Sequence, residues 1–127
     1  MIQDYFNLIT IPVNKYASSG FVLDTKVNFD IRPGDQRYLS GAITFEDGST
    51  LVFREFLDYT EETLDKLMYT YHFQEADNQL IFRYDNARHR TSLRSLEHKH
   101  VPGQVVEVVA PTLEDVLAEI VMAKGWV

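Results

Sequence analysis

Residues 37–59, RYLSGAITFEDGSTLVFREFLDY, form two runs of alternating apolar and polar residues on either side of Asp47-Gly48. Period-two alternation is typical of a strand with one buried face, and Asp-Gly is a favoured hairpin turn. A loop over 46–48 puts the apolar residues of both strands on one face, and register follows the buried face. The predicted pairs are Ile43 with Leu51 and Gly41 with Phe53, on a buried face that also holds Leu39, Phe45 and Leu57.

A second hairpin is predicted over residues 66–86, with its turn near Ala76-Asp77. Pairing Phe73 with Leu80 creates one aromatic face suited to packing. The other face then carries His72, Arg83 and Asp85 within diagonal reach of one another. The full set of predicted pairs is Phe73 with Leu80, Tyr71 with Phe82, Tyr69 with Tyr84, His72 with Ile81, Thr70 with Arg83, and Met68 with Asp85.

The flanking segments complete an α+β pattern. Residues 21–31 alternate as a strand, residues 105–110 suggest another, and the first eleven residues predict a short helix that ends before Pro12. The stretch PTLEDVLAEIVMAKG predicts a C-terminal helix capped by Thr112 and Asp115 and stopped by Gly125. We therefore expect one domain over residues 1–127: an antiparallel β-meander of four to five strands packed by the C-terminal helix and a short N-terminal helix.

Composition narrows the class of protein. The chain has no cysteine, which excludes disulfides, thiolate metal sites and a cysteine nucleophile. No apolar run reaches the ~20 residues that span a bilayer, and the N-terminus lacks the basic region of a secretory signal. We expect a soluble cytoplasmic protein with no membrane contact. Phosphate-loop, dinucleotide, zinc-protease and serine-hydrolase motifs are absent from the sequence.

Positive charge and histidine concentrate in residues 82–100, FRYDNARHRTSLRSLEHKH, although the chain carries a net charge of −7. Three of the four histidines lie there, and the basic residues outnumber the acidic ones by three. Such a patch suits a focused anionic ligand or an acidic partner segment. A solvated basic loop is the plain alternative. The charged residues are Arg83, Asp85, Arg88, Arg90, Arg94, Glu97 and Lys99.

If the chain after the second hairpin folds back over His72, the two segments form one pocket of histidines, arginines and a carboxylate. Two histidines can transfer protons in phosphodiester cleavage while basic side chains hold the phosphate. We expect catalytic roles for His72, Arg83, Asp85, His89, His98 and His100. We expect phosphate or RNA contacts from Arg83, Tyr84, Arg88, Arg90 and Lys99, with Tyr84 stacking on a base.

Three other hypotheses fit the same residues. His98-x-His100 with His89 and His72 has the ligand types of a zinc site, although Lys99 and the nearby arginines oppose a dication. A non-catalytic binding module would dock an acidic segment on the basic stretch. A structural role would use the histidines only to tie the fold together. We expect no cofactor and no bound metal.

Several stretches together resemble the TumE family of toxins: GAITFEDGSTLVFREF, YTYHFQEADNQLIFRYDNARH, HKH and LEDVLAEI. The resemblance covers roughly residues 20 to 120. In this chain one family histidine is replaced by arginine within Arg88-His89-Arg90 and another by glutamate, Glu97. The positions matching the family motifs are Tyr71, His72, Gln74, Arg83, Tyr84, Asp85, Asn86, His89, His98, Lys99 and His100.

The resemblance implies the toxin of a type II toxin–antitoxin pair, encoded in bacteria beside a helix-turn-helix antitoxin. It also implies a ribonuclease, which agrees with the residue chemistry. The expected partners are therefore a helix-turn-helix antitoxin protein and an RNA substrate, and a homodimer is a further hypothesis.

Overall fold

The computed structural model describes residues 2–60, 63–86 and 97–126, and its strands form one antiparallel sheet in chain order. The α+β class and the meander are confirmed, but the sheet has seven strands rather than four or five. The elements are α1 (Ile2–Ala17), β1 (Val22–Ile31), β2 (Gln36–Phe45), β3 (Thr50–Thr60), β4 (Thr63–Gln74), β5 (Leu80–Asp85), β6 (His98–Val101), β7 (Gln104–Glu107) and α2 (Leu113–Lys124).

The β2–β3 register is the predicted one. Gly41 lies opposite Phe53, and Ile43 lies opposite Leu51. All six apolar residues predicted for the inner face of this hairpin are completely buried. The buried face thus selected the register, because a slip of one residue would point these side chains toward solvent.

The β4–β5 register differs from the predicted one. Phe73 pairs with Phe82 instead of Leu80, and His72 lies directly opposite Arg83. Next to the turn Gln74 pairs with Leu80, one residue away from the predicted register, and a β-bulge between Phe73 and Gln74 adds the second residue of the shift. The shift is two residues, so each side chain keeps its predicted face.

The N-terminal helix is longer than predicted, because Pro12 lies inside α1 rather than beyond its end. Proline removes one backbone hydrogen bond and usually ends a helix. Here Ile9 and Val13, on either side of Pro12, are 4% and 3% exposed in the core. Packing of this face therefore outweighs the local cost.

The C-terminal helix α2 has the predicted ends. The Thr112 hydroxyl accepts from the backbone N–H of Asp115, and the Asp115 carboxylate accepts from the N–H of Thr112. Gly125 ends the helix with a φ of 69°, in the left-handed region. The residues that α2 buries in the core are Leu113, Val116, Leu117 and Ile120.

Both helices pack on the same side of the sheet, which we call the helix face. No helix in the described part of the chain covers the other side, which we call the open face. No helix there is long and apolar enough to cross a membrane. The open face includes Tyr38, Arg54, Phe56, Met68, Thr70, His72, Arg83, Asp85, His98 and His100, which pair side by side across the strands.

A carboxylate lies inside the helix face. Glu55 is completely buried. Tyr71 donates to its Oε2 over 2.5 Å, and Tyr5 donates to its Oε1. Lys66 Nζ lies 3.7 Å from the same carboxylate and donates to Tyr71 Oη at 2.6 Å. This network joins α1 to β3 and β4, so the buried charge is both paired and hydrogen-bonded.

The network shifts the ionisation of its members. Burial, then the charge of Glu55 and the hydrogen bond to it, raises the pKa of Tyr71 far above the usual value. The same causes raise the pKa of Tyr5. Burial lowers the pKa of Lys66, and Glu55 opposes that change.

Replacing Gly41 should destabilise the sheet. A Cβ at this position would lie 2.3 Å from the Phe53 ring and 2.6 Å from the carbonyl oxygen of Lys26. We expect Gly41→Ala to lower the free energy of unfolding in urea by about 1–3 kcal/mol, the usual cost of overpacking. Gly20→Ala is the control, because its Cβ would meet nothing within 4 Å. Equal stability of the two variants would contradict this prediction.

Removing the Tyr71 hydroxyl should weaken the Glu55 network. We expect Tyr71→Phe to lower the free energy of unfolding by about 1.5–3 kcal/mol, the range for a hydrogen bond to a charged group. Tyr16→Phe is the control, since the Tyr16 hydroxyl makes no hydrogen bond in the described residues. Urea titrations at neutral pH measure both variants.

The same pair of variants gives a pH test. Above about pH 10 tyrosine ionises in the unfolded chain, whereas Tyr71 keeps its proton in the folded chain because its pKa is raised. Stability present below that pH is therefore lost as the pH rises, more steeply in the wild type than in Tyr71→Phe. Lys66, whose pKa is lowered in the folded chain, changes the stability in the opposite direction as the pH rises, and it does so in both the wild type and Tyr71→Phe. Parallel alkaline stability curves would rule out this explanation.

Candidate functional site

Three of the predicted side chains lie in one row on the open face. His72 of β4 is opposite Arg83 of β5, and Arg83 is opposite His100 of β6. The neighbouring row contains Thr70, Asp85 and His98. The chain therefore does return beside Arg83, as expected. Residues His98–Val101 do so as strand β6, which pairs with β5.

Arg83 occupies the centre of this site. Its Nε donates to Asp85 Oδ2 over 3.1 Å, and its Nη1 lies 3.5 Å from His72 Nδ1. The arginine side chain is 42% exposed, whereas that of Asp85 is 6% exposed. Asp85 thus holds the inner side of the guanidinium, and the outer side faces solvent, where an anion can reach it.

Hydrogen bonds assign the tautomer of His72. Gln74 Nε2 donates to Asn78 Oδ1 at 2.9 Å, which turns Gln74 Oε1 toward the imidazole. His72 Nε2 lies 2.9 Å from that oxygen and therefore carries the proton of the neutral ring. His72 Nδ1, the nitrogen nearest Arg83, is then the one with a lone pair. Arg83 Nη1 faces this lone pair at 3.5 Å, so Nδ1 can take a proton from a ligand only after the guanidinium turns toward a bound phosphate.

The two histidines of β6 have different environments. His100 Nε2 lies 3.4 Å from Asp85 Oδ2, and the His100 side chain is 20% exposed. His98 Nδ1 lies 4.0 Å from Asp85 Oδ1, and its side chain is 1% exposed. His100 can therefore meet a ligand on the open face. His98 acts at most through Asp85, because burial keeps it from a substrate.

Tyr84 and Lys99 do not belong to this cluster, contrary to our expectation. They pair with each other across β5 and β6, and alternation turns them to the helix face. The Tyr84 hydroxyl donates to Glu119 Oε1 at 2.5 Å, and Lys99 Nζ donates to Glu119 Oε2 at 2.7 Å. Both residues thus anchor α2, and neither is placed to bind RNA beside Arg83.

The contacts of Lys99 also change its ionisation. Partial burial alone would lower the pKa of Lys99, but hydrogen bonds with Glu119 and Tyr84 raise it above the usual value. Lys99 is therefore a charged structural partner of the helix.

Three other predicted residues, Arg88, His89 and Arg90, lie outside the described residues. Their expected roles in catalysis and phosphate binding stay predictions.

Our sequence reasoning missed Arg54. This exposed arginine of β3 lies opposite Thr70, and both line an open cavity of about 220 Å³ with Val52, His72 and Arg83. The signal was present in the predicted β2–β3 register, which turns Arg54 away from the core. It could not be used, because the register of β3 against β4 was not predicted.

Metal ligation was the main chemical alternative. Within residues 2–60, 63–86 and 97–126, no group of three or more histidine, cysteine, aspartate or glutamate side chains could hold a metal ion. His98 and His100 have ring centroids 6.4 Å apart, with their planes at 71°.

Comparison with known proteins identifies a family. A family model described as Toxin TumE matches residues 13–123, from the second half of α1 to the last turn of α2. No curated protein and no solved structure matches the chain significantly. A toxin family of this kind implies, in general, an antitoxin partner. The match covers most of the chain, and the chain therefore belongs to the TumE toxin family.

Proposed function

We propose that this protein is the toxin of a type II toxin–antitoxin pair and acts as a metal-independent ribonuclease. The observation that carries the proposal is the row on the open face, where Arg83 lies between His72 and His100. A cation flanked by two proton-transfer groups matches the needs of phosphodiester cleavage.

The reaction begins with the 2′-hydroxyl of the RNA. His72 takes its proton at Nδ1, and the 2′-oxygen attacks the adjacent phosphorus. The bond from phosphorus to the 5′-oxygen breaks, and protonated His100 gives a proton to that leaving oxygen. The products are a 2′,3′-cyclic phosphate and a 5′-hydroxyl, so atoms and charge balance.

Arg83 supplies the electrostatic contribution. Its guanidinium donates to the non-bridging oxygens, whose negative charge grows in the transition state. The Cα atoms of His72 and His100 are two strand spacings apart, roughly 10 Å, with Arg83 midway. A phosphate held there lies between the two imidazoles.

Asp85 is a positioning residue in this scheme. It contacts Arg83 at 3.1 Å and His100 at 3.4 Å through the same oxygen, Oδ2. One buried carboxylate thus fixes the cation and the general acid relative to each other. The buried His98 has its Nδ1 4.0 Å from the other carboxylate oxygen, Oδ1.

The partner proposed from the family is a helix-turn-helix antitoxin. The exposed cations Arg54 and Arg83 favour an acidic antitoxin segment that covers the open face and blocks the site. Docking without catalysis is the second candidate function, and the same two cations favour it. A homodimer through an edge strand of the sheet, such as β1, is the further proposal, because edge strands present backbone groups for pairing.

Cleavage of RNA by the purified protein tests the reaction. We expect His72→Ala, Arg83→Ala and His100→Ala each to lower the cleavage rate by about 10²-fold or more, as for the loss of a general acid or base. Expression without the antitoxin should arrest growth for the wild type and not for these variants. A folded wild type that neither cleaves RNA nor arrests growth would contradict the proposal.

The control is the neighbouring residue of the same strand. Lys99→Ala removes a positive charge one position from His100, but on the helix face, where it contacts Glu119. We expect the folded Lys99→Ala protein to keep its cleavage rate while its unfolding temperature falls. If Lys99→Ala lost activity as His100→Ala does, net charge rather than the open-face row would govern the reaction.

The pH dependence should be bell-shaped. The base must be neutral and the acid protonated, so the rate falls on both sides of an optimum. We expect His72→Ala to lose the acidic limb and His100→Ala to lose the alkaline limb of the profile. Chelation of divalent ions should leave the wild-type rate unchanged. A rate that increases without limit with pH and disappears with chelator would indicate metal-bound hydroxide instead.

A further inference from the structure

A second cavity on the open face continues from the one beside His72. Its volume is about 290 Å³, and its apolar lining comes from Tyr38, Phe56 and Met68. These three residues lie side by side across β2, β3 and β4. We call them the aromatic row, after the rings of Tyr38 and Phe56. The two cavities share Arg54, Thr70 and Arg83, so they form one groove that leads from the aromatic row to the histidines.

The aromatic row is accessible, unlike the aromatic residues of the core. Met68 is 63% exposed, and Tyr38 and Phe56 are half-buried. A β-bulge follows Phe56, which is where β3 changes its register with β4. Bulges commonly redirect side chains beside functional sites. Core packing therefore does not account for this row as it does for Phe53 or Tyr71.

Arginines border two sides of the row although the chain as a whole is acidic. Arg54 is exposed and forms no ion pair or hydrogen bond in the described part of the chain. The Arg32 guanidinium lies 5.1 Å from the centre of the Tyr38 ring. Arg83 borders the groove on its other side. Carboxylates border the remaining sides: Asp30 lies opposite Tyr38 on β1, and Asp58 and Asp65 pair with each other in the next row.

Flat apolar side chains between cations match one ligand class well. Unpaired nucleobases stack on aromatic rings while arginines contact the backbone phosphates. A paired base could not reach the rings, because its faces are already stacked in the duplex. The charge and the aromatic surface thus favour a single strand over a double helix.

We propose that the aromatic row binds an unpaired base of single-stranded RNA, next to the nucleotide whose phosphate lies at Arg83. Rows of same-facing side chains are about 6.8 Å apart along a strand, so the aromatic row is roughly 13 Å from the row of His72 and Arg83. Arg54, in the row between them, contacts the intervening phosphate. This proposal names the specificity residues of the proposed ribonuclease and rests on that function.

Binding of an uncleavable RNA tests the proposal independently of catalysis. The probe is a short single-stranded RNA with 2′-O-methyl groups, together with copies that lack one base at each position in turn. We expect Phe56→Ala to weaken binding by roughly 5- to 150-fold, as for the loss of one stacked base. We expect Tyr38→Ala to act similarly and Arg54→Ala to reduce the salt dependence of affinity.

The abasic probes make the test specific. Removal of the base that stacks on Phe56 should weaken binding to the wild type. The same abasic probe should bind Phe56→Ala as well as the intact probe does, since both changes remove the same contact. Phe56→Leu removes the ring but keeps an apolar side chain in the sheet, so a loss of RNA binding in this variant reports lost stacking and not misfolding. Lys15→Ala, which removes a positive charge from α1 outside the groove, is the control for charge and should bind as the wild type does.

The outcomes separate this proposal from the ribonuclease. If Phe56→Ala binds RNA as the wild type does, the aromatic row is not a base site, even where His72→Ala abolishes cleavage. If Phe56→Ala loses binding but the wild type never cleaves RNA, the base site stands and the ribonuclease does not. If the wild type binds no RNA, the proposal is overturned. If these variants keep their affinity for RNA and lose only their affinity for the antitoxin, the proposal is overturned and the groove is a protein-docking surface.

Discussion

The structure depends on one constraint: both helices pack against the same face of a seven-stranded antiparallel sheet. Side chains alternate across each strand, so this arrangement divides the strands into core residues and solvent-facing residues. Aromatic and aliphatic side chains fill the helix face, together with one buried carboxylate, Glu55. The open face is then left to residues that the core does not require, and it is there that the titratable groups meet.

Strand β5 shows this division most clearly. Phe82 and Tyr84 belong to the core, and Tyr84 also binds Glu119 of α2. Between and after them come Arg83 and Asp85, which face the other way and form the centre of the site. Strand β5 thus contacts α2 through one face and positions the Arg83 guanidinium on the other. Residues of one stretch can therefore have unrelated roles, and Lys99 lies outside the site although it is next to His100 in sequence.

The carboxylates of Glu55 and Asp85, both buried, have different environments. Glu55 contacts the hydroxyls of Tyr5 and Tyr71 and the ammonium of Lys66, and of these partners only Tyr71 is fully buried. Asp85 is almost as buried, but its contacts, Arg83 and His100, reach solvent on their outer sides. The first arrangement holds elements together. The second transmits the rigidity of the sheet to groups that a ligand can touch, which is what a positioned active site requires.

Local rules were enough for several parts of this fold. The alternation around Asp47-Gly48 predicted the β2–β3 register, and Thr112, Asp115 and Gly125 predicted both ends of α2. Each depends on residues within one hairpin or one helix turn. The stretch His98–Val101 could not be recognised as a strand, because four residues rich in histidine have no strand signal of their own. They pair because β5 offers an edge.

Local patterns in the sequence were enough to predict the strand faces of both hairpins, the class of the fold and the side chains able to do chemistry, because period two and residue type are local properties. Which of those side chains meet depends on the tertiary packing. The pairing at the β4–β5 turn and the bulge beside it placed His72 opposite Arg83, and the pairing of β6 added His100. Tyr84 and Lys99 instead contact Glu119 of α2. Strand order and register depend on the packing of the whole core, and no short stretch of the chain contains that information.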